Sequence, residues 1–239
     1  MVQLLSKYSQ EEIAIGLSIG DGYIRYNKGS LHAYLEITHS VKQYEYLIIK
    51  SNIALNCLNI NYSMSNRIIK NGKHTYYAFR STFNSSPIFD NVYDILYDNG
   101  KRSFYKVLPY LNDYILAMLF MDDGSSKIKK RVKRKNGDIM LSSTGYVDSF
   151  MIALNRYSYE ECKQFCEVLK NKFDIDASVQ KDRGLPRVAI SNLKSKLNFL
   201  NLIVPFTDCV NDMRYKTSMP ISMSEANFVN IGKTEGDKV

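Results

Sequence analysis

Two apolar stretches of the chain end in the same dipeptide. Ala14-Ile15-Gly16-Leu17-Ser18-Ile19-Gly20 runs into Asp21-Gly22. Leu116-Ala117-Met118-Leu119-Phe120-Met121-Asp122 runs into Asp123-Gly124, 102 positions later in a chain of 239 residues. Each stretch follows a helix-start signal. Ser9 with Glu12 three residues on is a capping box, and Asn112 after Pro109 is an N-cap residue. The glycine that follows suits a C-terminal stop. Helices are therefore predicted over 9–21 and 112–123. Neither is amphipathic, and a helix apolar nearly all round must be buried on most faces.

The segments after the two Asp-Gly pairs read alike. Residues 23–27 and 31–38 flank a Lys28-Gly29 turn, with Leu31, Ala33, Leu35 and Ile37 alternating against His32, Tyr34, Glu36 and Thr38. Residues 126–135 and 138–147 flank Asn136-Gly137, a strong hairpin signal. Second hairpins are predicted around Asn71-Gly72 and Arg183-Gly184. Helices recur in matching order: 44–56 after a Ser40/Gln43 capping box, and 162–172 after Ser158/Glu161. A further pair spans 86–98, started by Pro87 and stopped by Gly100, and 193–203, stopped by Pro205. Each half reads α-β-β-α-β-β-α. The fold class is α+β, with repeats at 1–105 and 106–221 and a polar, poorly ordered tail at 222–239.

Composition narrows the function classes. The chain is 45% hydrophobic and 23% charged, with a net charge of +8, which fits a globular protein with a polyanionic partner. The apolar run 115–121 is too short to span a bilayer, and the first residues lack a secretory apolar region. An intracellular location is expected, with mitochondrial or other organellar, phage and bacterial hosts all compatible. Cys162 and Cys166, four apart, read as free thiols, and the histidines His32, His39 and His74 show no zinc spacing.

The paired helices ending in Asp-Gly resemble the motifs of LAGLIDADG homing endonucleases, in particular the single-chain, two-repeat enzymes encoded by group I introns. The second half matches best, through Leu-Phe-Met-Asp-Asp-Gly at 119–124, Tyr159-Glu160-Glu161 and Met213-Arg214-Tyr215-Lys216. The resemblance implies two central helices packed at a pseudo-twofold axis, with sheets forming a DNA-binding saddle. It implies that Asp21 and Asp123 are the catalytic, metal-binding acids. It further implies one active-site cation per repeat, Lys216 in the second and Lys101 or Arg102 in the first, with Lys101 the nearer match. A polar position after the second strand of each repeat falls on His39 and Asn155. Asp122 reads as a solvated or capping neighbour. Gly16 and Gly20 permit close helix contact, whereas Met118 and Asp122 stand at the matching positions of the other helix, so the interface must be asymmetric, with Ala117 giving the close approach there.

Two carboxylates at negative helix ends repel without a cation, which argues for metal. Mg²⁺, or Mn²⁺, is expected, with Ca²⁺ binding without supporting cleavage. DNA contacts are expected from the strands, because a two-stranded ribbon fits the major groove. The candidates are Arg25, Asn27, His32, Tyr34, Glu36, Arg67, Lys70, Lys73 and Arg80 in the first half. In the second they are Lys127, Lys129, Lys130, Arg131, Lys133, Arg134, Lys135, Gln180, Lys181, Arg183 and Arg187. Seven basic residues fall within 127–135, a density suited to phosphates. The leading expectation is a monomeric, site-specific endonuclease making a staggered double-strand cut in a long asymmetric target. The alternative is a group I intron maturase with intron RNA as partner; it would not need both acids. A non-cutting DNA-binding regulator would have lost an acid or gained a helix-turn-helix, and neither is found.

Overall fold

The computed structural model describes residues 1–72, 74–226 and 229–232. After a short 3₁₀ turn, the first half runs α1 (Gln10–Ser18), β1 (Gly22–Arg25), β2 (Tyr34–Ser40), α2 (Tyr44–Leu58), β3 (Tyr62–Asn71), β4 (His74–Phe83) and α3 (Pro87–Leu96). A small hairpin, β5 (Tyr97–Asp98) and β6 (Lys101–Arg102), closes it. The second half runs α4 (Asp113–Asp123), β7 (Gly124–Lys133), β8 (Ile139–Ala153), α5 (Tyr159–Phe173), β9 (Ser178–Asp182), β10 (Leu185–Ile190) and α6 (Leu193–Thr207). A 3₁₀ turn (Asn211–Lys216) and β11 (Val229–Gly232) follow. The antiparallel sheets are ordered β1-β2-β4-β3 and β7-β8-β10-β9, so the second repeats the first. The mixed α+β architecture expected from the sequence is present. Among the described residues no helix is long and apolar enough to cross a membrane.

Local chemistry explains most boundaries. Both capping boxes close: Ser9 Oγ accepts the Glu12 N–H at 3.1 Å while Glu12 accepts the Ser9 N–H at 2.9 Å, and Ser158 and Glu161 do the same. Asn112 Oδ1 accepts the Ile115 N–H at 2.9 Å, starting α4. Glu161 also accepts the Phe104 N–H at 2.7 Å and the Ser103 hydroxyl at 3.1 Å, so one carboxylate starts α5 and holds the connection between halves.

Several expectations are corrected. The helix expected over 9–21 is shorter, with α1 ending at Ser18. Ser40 makes no capping hydrogen bond; Val41–Gln43 forms a 3₁₀ turn and α2 begins after it. The third helix stops at Leu96, because Asn99 and Gly100 take left-handed conformations and turn the chain into the β5–β6 hairpin. α6 passes Pro205 and ends at Thr207. Leu31 is not part of the alternating strand: it is 83% exposed, in the loop between β1 and β2. That loop is drawn off by Asp90 in the first turn of α3, which accepts the Ala33 N–H at 2.7 Å and pairs with His32 at 2.8 Å. The tail is not wholly irregular, since β11 pairs with residues 139–141 of β8. Buried Lys196 helps hold the approach to it, donating to the carbonyls of Val147 at 2.6 Å and Ile221 at 2.9 Å.

α1 and α4 lie in the core, with Ile13, Ala14, Ile15 and Leu17 buried on one and residues 114–121 buried on the other. The asymmetry between them takes a specific form. A Cβ at Gly16 would lie 2.3 Å from the Tyr114 ring, and a Cβ at Gly20 would lie 2.3 Å from Asp122. Gly16 of α1 and Gly20 just beyond its end thus make room for two larger side chains of α4. Tyr114 also donates its hydroxyl to Ile13 O at 3.2 Å. Gly16→Ala should cost about 1–3 kcal/mol through overpacking, measured by urea denaturation, and Tyr114→Leu in the same chain should recover part of it.

Candidate active site and nucleic-acid interface

The two motif acids emerge where the central helices end. Asp21 follows α1 and its side chain is 35% exposed; Asp123 is the last residue of α4 and is half-buried. Burial raises the pKa of both. For Asp123 the charges of Asp122 and Asp21 add to it, pushing the carboxyl up to about 6. For Asp21, Asp122 adds and Lys50 opposes. Arg156, which donates to Gly20 O at 3.1 Å, attracts both carboxylates.

Asp122 is not a solvated neighbour. Its side chain is completely buried and lies 2.6 and 2.8 Å from Lys50 Nζ, itself completely buried on α2. It also accepts the Asp21 N–H at 2.9 Å. Burial alone would raise its pKa, but Lys50 holds it below the usual carboxylate range. The ammonium lies 4.5 Å from the centre of the Tyr46 ring. A buried acid of the second half thus fixes the backbone of the catalytic acid candidate of the first. His39 is the third group here, with Nδ1 3.5 Å from Asp21 Oδ2. Burial and the Lys50 charge push its pKa down to about 3, so the imidazole is neutral near pH 7.

The basic residues near the centre differ in which way their side chains turn. Lys216 Nζ is buried and donates to the carbonyls of Met121 at 2.6 Å, Gly124 at 2.8 Å and Phe120 at 3.3 Å. All three ammonium donors are thereby engaged at the C-terminal end of α4. Arg102 does the same for α1, donating to Ser18 O at 2.8 Å, Ile19 O at 3.3 Å and Gly22 O. The counterpart of Lys216 is therefore Arg102. Lys101 is exposed, because neighbouring residues of β6 point to opposite sides. Asn155 is likewise exposed, and the strand register shows why: Gly22 opposite Ile37 matches Gly124 opposite Ile152, which places His39 against Leu154. The second half has no imidazole at that position.

Among atoms that could hold a cation, Asp21, His39 and Asp122 lie within 4.8 Å of one another. Asp122 is already committed to Lys50 and to the Asp21 N–H, and is sealed from solvent. The available carboxylates are Asp21 and Asp123, and oxygen donors whose charged forms are disfavoured by burial and by the nearby Asp122 charge suit a hard divalent cation.

On the first sheet, register places Arg25, Tyr34, Glu36, Thr38, Arg80 and Arg67 on one face, opposite the core-facing Leu35, Ile37 and His39. Lys70 falls on the other face, His32 is tied to Asp90, Asn27 lies in the loop, and Lys73 lies outside the described residues. On β7, Lys127, Lys129, Arg131 and Lys133 alternate with Ile128, Lys130 and Val132; Arg134 and Lys135 fall in the turn. Lys127 and Lys129 flank Asp148 at 3.5 and 2.6 Å. Gln180 and Arg187 pair directly, whereas Lys181 points the other way, 5.5 Å from the Tyr159 ring, and Arg183 occupies the turn with a φ of 51°.

A family model described as the LAGLIDADG DNA endonuclease family matches residues 11–197. A protein of Wickerhamomyces canadensis named "Probable intron-encoded endonuclease 1" is 26% identical over 217 residues, covering 87% of this chain and 83% of that one. A solved structure of the homing endonuclease I-WcaI bound to its DNA recognition sequence superposes with a TM-score of 0.70 at 24% identity, covering 89% of this chain and 87% of that one. With the two motif helices side by side and their acids at one end, the chain belongs to the LAGLIDADG DNA endonuclease family.

Proposed function

We propose that the chain is a site-specific endonuclease that cuts both strands of a long, asymmetric DNA duplex with the help of divalent cations. The observation that carries this reading is the presence of both motif acids, half-buried and raised in pKa by burial and the neighbouring Asp122 charge, at the ends of the paired helices. The relative named as an intron-encoded endonuclease and the structural likeness to a DNA-bound homing endonuclease support it. Asp21 and Asp123 would hold Mg²⁺ or Mn²⁺, which supplies an activated water and neutralises charge developing on the phosphate and leaving oxygen.

The rest of the centre positions these acids. Arg102 and Lys216 neutralise the negative carbonyl ends of α1 and α4 and hold the last turns in place. We therefore assign both as positioning residues. The Asp122–Lys50 pair fixes the Asp21 backbone, and neutral His39 faces the Asp21 carboxylate from the core side. Because one chain supplies both acids, it acts as a monomer, with repeats at 1–105 and 106–221 each addressing one half of the target. Two different halves in one chain remove the need for a palindrome.

The test uses the full chain with Mg²⁺ and a duplex spanning the uninterrupted form of its own coding locus. One defined double-strand cut with short 3′ overhangs is expected, with none in EDTA and binding without cutting in Ca²⁺. No specific cut, or one that survives in both Asp21→Asn and Asp123→Asn, rejects the reading. Faster splicing of the host intron RNA without DNA cutting would place the chain among splicing cofactors instead.

A further inference from the structure

We propose that Arg25 and Arg80, braced on Glu36, read two guanines in one half of the target, and that this half is recognised more strictly than the other. The proposal rests on the DNA-cleaving reading. Its basis is a cluster on the outer face of the first sheet. Arg25 Nη2 lies 2.7 Å from Glu36 Oε2, and Arg80 Nη1 lies 3.2 Å from Glu36 Oε1. Arg25 also donates through Nε to the Tyr34 hydroxyl, and Arg80 through Nε to Thr38 Oγ1 at 3.1 Å. The Arg25 guanidinium carbon is 5.3 Å from the centre of the Tyr34 ring.

A carboxylate on a surface meant for a polyanion is unfavourable unless it serves another purpose. Glu36 has each oxygen on a different arginine and a side chain only 11% exposed, so it has little left to offer a base. What it can do is hold two long side chains in place before the duplex arrives, which removes their ordering cost from binding. These contacts use two of the five N–H donors of each guanidinium and leave the others for a ligand. Two parallel N–H groups match O6 and N7 of guanine, the commonest base-specific arginine contact in the major groove.

The second sheet provides an internal comparison. Thr38 opposite Arg80 corresponds to Ala153 opposite Arg187, and the three positions of the cluster become Lys127, Met151 and Arg187. The central carboxylate is replaced by a thioether. Lys127 pairs with Asp148 at 3.5 Å and Arg187 with Asp182 at 3.1 Å, so no shared brace exists. A lysine ammonium on a flexible stem is a point charge, and it fixes a base contact less strictly than the planar fork of a braced arginine.

The test is a binding selection from a fully randomised duplex library with Ca²⁺, using the full wild-type chain and Arg25→Gln, Arg80→Gln, Arg80→Lys and Glu36→Gln. The wild type should enrich a motif with two guanines in one half. Each arginine variant should lose one of them, with about ten- to hundredfold less discrimination there, and Arg80→Lys should not restore it. Glu36→Gln, close in shape, should weaken both guanines and keep the thermal midpoint. No enriched motif at all would reject the endonuclease reading. A motif whose guanines survive every variant, or a uniform affinity loss with a shallower salt dependence, would assign these arginines to phosphates and overturn the proposal alone.

Discussion

Lys50→Met should cost about 3–5 kcal/mol of folding stability, because it leaves the Asp122 carboxylate buried with no counter-charge. Denaturant unfolding at neutral pH measures it. Asp122→Ala should be destabilising for the complementary reason, with Lys50 left unpaired. The Lys50→Met, Asp122→Ala double variant should recover most of the loss, since an apolar replacement of a buried pair is often neutral. Equal and additive losses from the two single changes would show that the pair does not act as a unit. The readout that separates this pair from ordinary packing is cleavage. The stable double variant should still cut more slowly, because the Asp21 N–H loses its acceptor.

Asp21→Asn and Asp123→Asn should each lower cleavage by about 10³-fold while target binding persists, a loss typical of removing one electrostatic element of a catalytic centre. Metal-free folding stability should move the other way. The Asp123 carboxyl has a pKa raised to about 6, so its protonated form is favoured in the fold. The stability from this group is fully present below its unfolded pKa of about 4 and is lost as pH rises through about 6. Above that range Asp123→Asn should be more stable than the wild type by on the order of 1–3 kcal/mol, and the difference should vanish near pH 4. Thermal melts across pH 4–8 in EDTA check this. A wild type that is not destabilised relative to the variant at pH 8 would remove the argument that these acids await a cation. Added Mg²⁺ should close the gap in the wild type alone.

Much of the architecture was legible because its signals are local. The capping boxes at Ser9 and Ser158, Asn112, the hairpin glycines and the twice-repeated order all depend on residues within a few positions of each other. The candidate centre was legible only where a motif marked it, as at Asp21 and Asp123. Asp122 was misread because an acid beside Asp-Gly is ordinarily wet, and what keeps it dry is Lys50, 72 positions away on another helix. One signal existed: Lys50 falls among Tyr46, Leu47, Ser51, Ile53 and Ala54 on the buried side of α2, where a lysine needs a partner. The choice between Lys101 and Arg102 turned on strand alternation, which reverses with one residue. The candidate DNA-contact set has the same sensitivity: Lys70 and Lys181 fall on the opposite side of their strands from Arg67 and Gln180.

The Asp122–Lys50 pair also commits the two halves to one another. α2 and α5 are equally long, and the position that matches Lys50 is Phe165. A protein made of two copies of the first half would set Gly20 against Gly20 and bury two lysines with no acid between them. Two copies of the second would press Asp122 against Asp122 beside two phenylalanines. Neither half can be recombined with itself, and a chimera that takes only one of them must bring a partner with the missing charge. The two halves are complementary rather than interchangeable.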